Sequence, residues 1–265
     1  MKQYIEINSI MICYDDTMET DKKPLLLYHG LTGSKEIMYF MRDELKKEYR
    51  IITVDARGHG ESSHPTDYSL SDHGDDVHAL IKALGLAKVD ILGYSMGSYI
   101  ALCAAEKNSD DIGHLILLGT KGAGKTSSVE RIAKEKGIDM KTLSPEDLQK
   151  MLLACAFAPK TLEKMKTGEF IYTPDTSGVV LSEEEKAAES RSLADFDLLN
   201  DLDKVRCKTM VIAGEYDGIN PKEYGKEVAD GIEGCRYEVK ADTGHMVPYE
   251  KPEEFYALVR EFLES

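Results

Sequence analysis

Short, largely aliphatic runs bounded by turn residues recur along the chain with helical patterns between them, and this alternation restricts the fold more than any other feature. Leu25-Leu26-Leu27-Tyr28, Ile51-Ile52-Thr53-Val54, Val89 to Leu92 and Leu115 to Leu118 are continuous runs, not alternating ones. Strands buried on both faces read this way. Residues 2–7 and 10–14 read as a hairpin ahead of them, and Thr209 to Ala213 and Tyr237 to Val239 as later strands. Between the runs, Val77, Leu80, Ile81 and Leu84 keep helical spacing behind a capping box at Ser69 and Asp72. The last helix opens at Pro252 and carries Phe255, Leu258, Val259 and Phe262 on one face. The pattern predicts an α/β domain with a mostly parallel sheet covered on both sides.

The alternation stops between Thr120 and Lys204, a stretch too long for a plain loop. Ser144-Pro145-Glu146-Asp147 and Ser182-Glu183-Glu184-Glu185 are helix starts, and Leu148, Met151, Leu152 and Cys155 keep helical spacing. The expectation is a core made of residues 1–120 and 201–265, interrupted by a helical insertion over 121–200.

Charge narrows the function. With 33 basic and 48 acidic residues among 265, the formal net charge is −15. Binding to nucleic acid through phosphate neutralisation is disfavoured, as is a polybasic membrane contact. The first residues lack the apolar core of a signal peptide, and no apolar run approaches a bilayer span. A cytoplasmic location is therefore expected, as a monomer or a homo-oligomer. The five cysteines (Cys13, Cys103, Cys155, Cys207, Cys235) are odd in number and scattered, so buried free thiols are expected. No pair of histidines has metal-binding helical spacing: His59 and His64, like His73 and His78, are five apart. Asp75-Asp76 and Asp110-Asp111 read as solvated surface pairs. No metal and no cofactor are expected.

Gly93-Tyr94-Ser95-Met96-Gly97 lies directly between a strand and an apolar helical run. A strand-to-helix turn this sharp strains its central residue, leaves Oγ exposed, and needs glycine where backbones pass. A serine nucleophile needs a base and an acid that orients the base. Of seven histidines, His29, His59, His64, His73, His78 and His114 read as solvated or structural, with His73 and His78 on a polar helix face. His245 lies in the turn-rich loop Asp242-Thr243-Gly244-His245-Met246-Val247-Pro248, between the last strand and the last helix. Parallel sheets place their sites at such strand ends. Gly214-Glu215-Tyr216-Asp217-Gly218 offers two carboxylates; Asp217, beside a permissive glycine, is favoured over Glu215. The backbone N–H groups of Leu31 and Met96 would form the oxyanion hole.

With the chain order Ser95, Asp217, His245, the sequence resembles the α/β-hydrolase superfamily, in particular its cap-bearing esterase, lactonase and carbon–carbon hydrolase branch. The resemblance rests on His29-Gly30, Asp55-Ala56-Arg57-Gly58-His59-Gly60-Glu61-Ser62, the Ser95 turn, Asp217, and Gly244-His245-Met246-Val247-Pro248-Tyr249-Glu250-Lys251-Pro252. It implies an α/β-hydrolase fold, with an eight-stranded, mostly parallel sheet and an inserted helical cap. It also implies a serine hydrolase acting on a carboxylic ester or related acyl substrate. Tyr94 stands where relatives often carry His, and Ser98 where they often carry Gly. Neither departure is expected to touch the triad, and Ser98 is expected to tighten the helix–strand contact. Serine at position 95, where dehalogenase and epoxide-hydrolase relatives carry Asp, argues against those activities. On the inner face of the cap, Met151, Leu152, Phe157, Met165 and Phe170 are the candidates for substrate contact.

Two readings compete. The first is a ligand-binding sensor that retains the triad without turnover. The second is a phosphate loop, because Gly119-Thr120-Lys121-Gly122-Ala123-Gly124-Lys125-Thr126 matches Gly-x4-Gly-Lys-Thr after a strand and before a probable helix. Against an NTPase, the match falls at the sixth strand and no convincing Walker-B Asp follows it. Residues 121–200 hold 12 basic and 14 acidic residues, so the acidity belongs to the remaining chain and an uncharged or weakly polar substrate is expected.

Overall fold

The computed structural model describes residues 1–125, 127–175 and 177–265. Strands β1 (Lys2–Ile7), β2 (Ile10–Asp16), β3 (Pro24–Tyr28), β4 (Arg50–Val54), β5 (Val89–Tyr94), β6 (Ile112–Leu118), β7 (Lys208–Gly214) and β8 (Arg236–Lys240) form one sheet. Its order is β1-β2-β4-β3-β5-β6-β7-β8. β1 and β2 form an antiparallel hairpin, and β2 meets β4 antiparallel; every later pairing is parallel. The hairpin reverses at Asn8 and Ser9, both with positive φ as a two-residue turn of this twist requires.

The helices are α1 (Tyr39–Leu45), α2 (Leu70–Ala83), α3 (Met96–Lys107), α4 (Ser128–Glu135), α5 (Pro145–Ala156), α6 (Pro159–Thr167), α7 (Glu183–Ser192), α8 (Lys222–Gly231), α9 (Val247–Glu250) and α10 (Pro252–Leu263). The expected capping box closes on α2: Ser69 Oγ accepts from the Asp72 N–H, and Asp72 accepts from the Ser69 N–H. Ser182 and Glu185 close the same box on α7, and the Ser144 hydroxyl caps α5 by accepting from the Asp147 N–H.

Although the central strands are largely apolar, successive side chains enter different cores. Leu26, Ile52, Ile91, Leu115 and Leu117 pack with Val77 and Leu80 of α2, Ile100 of α3 and Val228 of α8. Leu25, Leu27, Ile51, Leu92, Ile116 and Leu118 pack with Met41 and Leu45 of α1 and with Phe255 and Val259 of α10. Helices therefore cover both faces, as expected from the alternation. Among the described residues, no helix is long and apolar enough to cross a membrane.

Between β6 and β7 the described residues carry α4 to α7. Both ends of this stretch pair with each other: Leu198 N donates to Gly122 O at 2.8 Å and Gly124 N to Phe196 O at 2.8 Å.

Two polar features differ from expectation. Asp76 is not solvated; it is buried and holds Arg57 through two hydrogen bonds of 2.7 and 2.8 Å. His73 is buried on α2 with its ring 6.4 Å from that of His59 and 5.3 Å from that of Tyr68. All five cysteines carry free thiols, with Cys13 and Cys103 buried and the other three partly exposed.

The loop after β4 is tied down by a buried ion pair, with Lys35 Nζ 2.8 Å from Asp55 Oδ2 and 2.8 Å from Glu36 Oε1. Asp55 also accepts from the backbone N–H groups of Lys35 and Glu61. Lys35→Met should remove the cation and leave a buried carboxylate uncompensated, lowering unfolding free energy by about 3 kcal/mol or more. Urea denaturation measures this, and an unchanged midpoint would show that the pair does not hold the loop.

Candidate active site

One residue turns β5 into α3. Ser95 has φ 53° and ψ −119°, a conformation that side-chain-bearing residues rarely adopt. Its N–H donates to Leu118 O at 2.9 Å, and its carbonyl accepts from Ser98 N at 2.8 Å and Ser98 Oγ at 2.5 Å. A Cβ on Gly93 would lie 2.2 Å from Gly97 O, and one on Gly97 would lie 2.2 Å from Tyr28 O. Both glycines are required because α3 starts in direct backbone contact with β5 and β3. Ser95 itself is partly exposed, whereas Gly93, Tyr94, Met96 and Gly97 are buried.

The Met96 N–H opens α3 and has no acceptor within the helix, so it lies at the positive end of the helix dipole. Gly30 packs on Ser95, since a Cβ there would lie 3.4 Å from Ser95 Cβ. Leu31 follows in a turn closed by Gly33 N donating to Gly30 O at 3.1 Å, and its side chain is exposed. His29, just before them, is buried, with Nδ1 2.8 Å from Gly30 O and Nε2 accepting from Ala56 N at 3.1 Å. Burial, with His59 adding to it, lowers its pKa to about 3, so it stays neutral and structural.

Asp217 and His245 come from the loops after β7 and β8. His245 Nδ1 and Asp217 Oδ2 are 2.7 Å apart, and both side chains are almost wholly buried. The other carboxylate oxygen accepts from Ile219 N at 2.9 Å and Asn220 N at 2.8 Å. With Nδ1–H committed to the carboxylate, Nε2 is the imidazole nitrogen left to exchange protons. Glu215, the other carboxylate considered, instead accepts from Asp242 N at 3.0 Å.

Gly119 joins the two halves. It follows Leu118, whose carbonyl holds Ser95, and a Cβ on it would lie 2.7 Å from His245 Cε1 and 3.6 Å from Asp217 Oδ2. Its φ of +61° also favours glycine.

Neither departure from the family pattern is remote from these residues. The Tyr94 ring sits 5.2 Å from the His245 ring, its hydroxyl donates to Met246 Sδ at 2.8 Å, and burial keeps it a neutral phenol. Ser98 bonds the backbone of Ser95 itself, a contact not foreseen from sequence. Asn220 and Tyr99 also escaped the sequence reading; the Asx turn that Asp217 closes is made with the Ile219 N–H, two residues on, and does not single out the Asn220 side chain.

Of the five residues considered for substrate contact, Met151 is buried on α5, while Leu152 and Met165 are half-buried on α5 and α6. Phe157 is buried and packs on Phe170 and Tyr172, with ring centroids 5.8 and 5.1 Å away. Tyr172 continues to Tyr249 at 5.1 Å and Tyr249 to Phe40 at 4.3 Å, four residues from His245 in the case of Tyr249. Among the described residues no group of three metal-ligating side chains converges.

A family model described as alpha/beta hydrolase fold matches residues 23–252. The chain belongs to this family. This alpha/beta hydrolase is 27% identical to "Proline iminopeptidase PfmaB" of Pestalotiopsis fici, over 100% of both chains. It is similar to the structure of a thermophilic esterase from Thermogutta terrifontis, with 26% identity, TM-score 0.77, and coverage of 100% of this chain and 98% of that one. The fold is also that of the enol-lactonase from Burkholderia xenovorans, at TM-score 0.81 and 23% identity over 99% of this chain and 100% of that one.

The phosphate-loop match has another physical basis in this hydrolase. A Cβ on Gly122 would lie 2.2 Å from Leu199, and one on Gly124 would lie 2.4 Å from Phe196. Protein therefore occupies the space beside these glycines. Lys125 is exposed, and Thr126 lies outside the described residues.

Gly119→Ala should push its methyl group into the His245 ring and lower hydrolase activity about 100-fold. Steady-state kinetics beside an unchanged circular dichroism spectrum checks this. His29 gives a pH expectation. Its pKa is about 3 folded against 6.5 for the free side chain. Between those values the unfolded chain binds the extra proton, so its stabilising contribution is present above pH 6.5 and lost as pH falls toward 3. From pH 7 to pH 5, wild-type unfolding free energy should fall by about 2 kcal/mol more than that of His29→Gln. Equal losses in denaturant titrations would refute this.

Proposed function

We propose that the chain is a serine hydrolase that cleaves a carboxylic ester or related acyl compound without a cofactor, with Ser95, His245 and Asp217 as its triad. The observations that carry this reading are the buried 2.7 Å contact between Asp217 and His245 and the strained, partly exposed backbone turn at Ser95. Such strain is costly and concentrates where chemistry uses it.

In the proposed reaction, Ser95 Oγ attacks the acyl carbon while His245 Nε2 takes the serine proton. Asp217 holds the Nδ1–H and stabilises the imidazolium that forms. The carbonyl oxygen, now negative, is stabilised by the Leu31 and Met96 N–H groups, the latter aided by the α3 dipole. Collapse expels the alcohol, which receives the proton from His245. Water, deprotonated by His245, then attacks the acyl-enzyme and regenerates Ser95. A lactone is a cyclic ester and falls within the same chemistry.

Residues 121–200 would act as the cap in this proposal. The aromatic series Phe157, Phe170, Tyr172 and Tyr249 and the near-balance of charge over the segment favour an uncharged, apolar acyl or alcohol group. The NTPase alternative has no corresponding support, because the glycines it requires are packed against protein.

A fluorophosphonate probe should label the wild type, and Ser95→Ala should abolish both labelling and turnover of p-nitrophenyl esters. Asp217→Asn should lower kcat by about three to four orders of magnitude. Labelling that survives Ser95→Ala would refute the assignment, and a single covalent event without turnover would favour the sensor.

A further inference from the structure

Gly119 stands where the turn at Ser95 and the acid–histidine pair meet, and it has no side chain with which to hold itself there. The carbonyl just before it, Leu118 O, accepts from Ser95 N at 2.9 Å. The His245 ring lies against it, so close that a Cβ would fall 2.7 Å from Cε1 and 2.9 Å from Nδ1. A glycine at φ +61° has more backbone freedom than any other residue would have, so its position must be imposed from outside. Two hydrogen bonds impose it. Gly119 N donates to Ile212 O of β7 at 2.9 Å, and Gly119 O accepts from Asn220 Nδ2 at 2.7 Å.

Asn220 is almost wholly buried in the loop that carries Asp217. Its N–H donates to Asp217 Oδ1 at 2.8 Å. Nδ2 also donates to the Tyr99 hydroxyl at 2.6 Å, and Oδ1 accepts from Ser128 Oγ of α4 at 3.1 Å. The amide orientation follows from Gly119: reversing it would set two carbonyl oxygens against each other. The contacts close a ring. Asn220 N bonds Asp217 Oδ1, Asp217 Oδ2 lies 2.7 Å from His245 Nδ1, the imidazole rests on Gly119, and Gly119 O returns to Asn220 Nδ2.

We propose that Asn220 is a positioning residue for His245: its side-chain amide fixes the backbone against which the imidazole packs, and its N–H fixes the carboxylate to which the imidazole is bonded. One residue thereby sets two of the surfaces that define the ring's orientation, and it does so without touching the substrate. No proton leaves Asn220 during the cycle. Ser128 braces the amide from the inserted segment, while the bond to Gly119 is the one that acts on the ring. The inference rests on the reading of His245 as the base that serves Ser95.

The test compares wild type, Asn220→Ala, Asn220→Asp and Ser128→Ala. Alanine removes the side-chain donor and leaves the backbone N–H for Asp217. Aspartate keeps the shape, but its carboxylate can only accept and so cannot hold the Gly119 carbonyl. In both Asn220 variants, kcat for p-nitrophenyl acetate and the rate of fluorophosphonate labelling should fall about fivefold to tenfold, the worth of one hydrogen bond, with KM changed less than about twofold. The far-downfield proton resonance of the His245 Nδ1–H should shift or be lost to exchange in both. Ser128→Ala, which spares the bond to Gly119, should keep that resonance and stay within about twofold of the wild-type kcat. If either Asn220 variant, folded by circular dichroism, keeps kcat within about twofold or keeps the resonance unmoved, the positioning role is overturned, whatever the change in melting temperature. A rise in KM with kcat unchanged overturns it as well. A wild type that is neither labelled nor active would instead overturn the serine-hydrolase reading, and this inference with it.

Discussion

The contact of α3 with the backbones of β3 and β5 is the constraint on which the rest of the site depends. Gly93 and Gly97 let these backbones approach to distances at which any Cβ would collide, and only then can a single residue connect strand to helix. The cost falls on Ser95, held at φ 53°. Three hydrogen bonds hold it there, one from its N–H to β6 and two from Ser98 to its carbonyl. Strain at this residue is thus offset by bonds to its own main chain, which leaves the side-chain oxygen uncommitted by the backbone.

The other half of the site depends on the inserted segment. The last carbonyls of a helix have no partner within it, and α5 turns this to use. Cys155 O accepts from Gly218 N at 2.9 Å and Ala156 O from Met246 N at 3.2 Å. One helix end therefore closes both the loop that bears Asp217 and the loop that bears His245. The approach is close enough that a Cβ on Gly244 would lie 2.4 Å from Ala156 O, and one on Gly218 would lie 3.0 Å from Cys155 O. Arg131 of α4 adds bonds to the carbonyls of Gly218 and Ile219. Glu250 clasps Ala158 N and Gly244 N from its two oxygens. The start of the inserted segment is therefore part of the acid–histidine framework, and any opening motion that preserves the Asp217–His245 contact must leave the end of α5 in place.

The loop after β4 uses buried charge for a similar purpose. Asp55 is matched by Lys35 and Arg57 by Asp76, both as buried ion pairs. His59 Nε2 also lies 3.0 Å from Glu189 Oε1 of α7, both side chains fully buried, without a hydrogen bond between them. Buried pairs of this kind return little net stability once desolvation is counted, but each is costly to break on one side. They therefore specify geometry more than they stabilise. Here they fix a loop that touches both the sheet and the inserted segment, and His64 extends the series to Glu185 at 2.5 Å.

What was legible in the sequence divides along the same physical line. The central strands follow from aliphatic runs, and the turn at Ser95 from glycines within two residues of it, because both requirements are local. Asp76 read as solvated and His73 as lying on a polar helix face from their neighbours on α2, yet both are buried, against Arg57 and His59 of another loop. Asn220 meets Tyr99 across 121 positions and Tyr94 meets Met246 across 152, separations that no local pattern encodes. Gly119 is the clearest case. A phosphate loop needs glycines so that an anion can approach the backbone. Gly119 is needed because an imidazole approaches it, and Gly122 and Gly124 because Leu199 and Phe196 do. The demand for a missing side chain is written in the sequence, but the identity of the group that fills the space is set only by the fold.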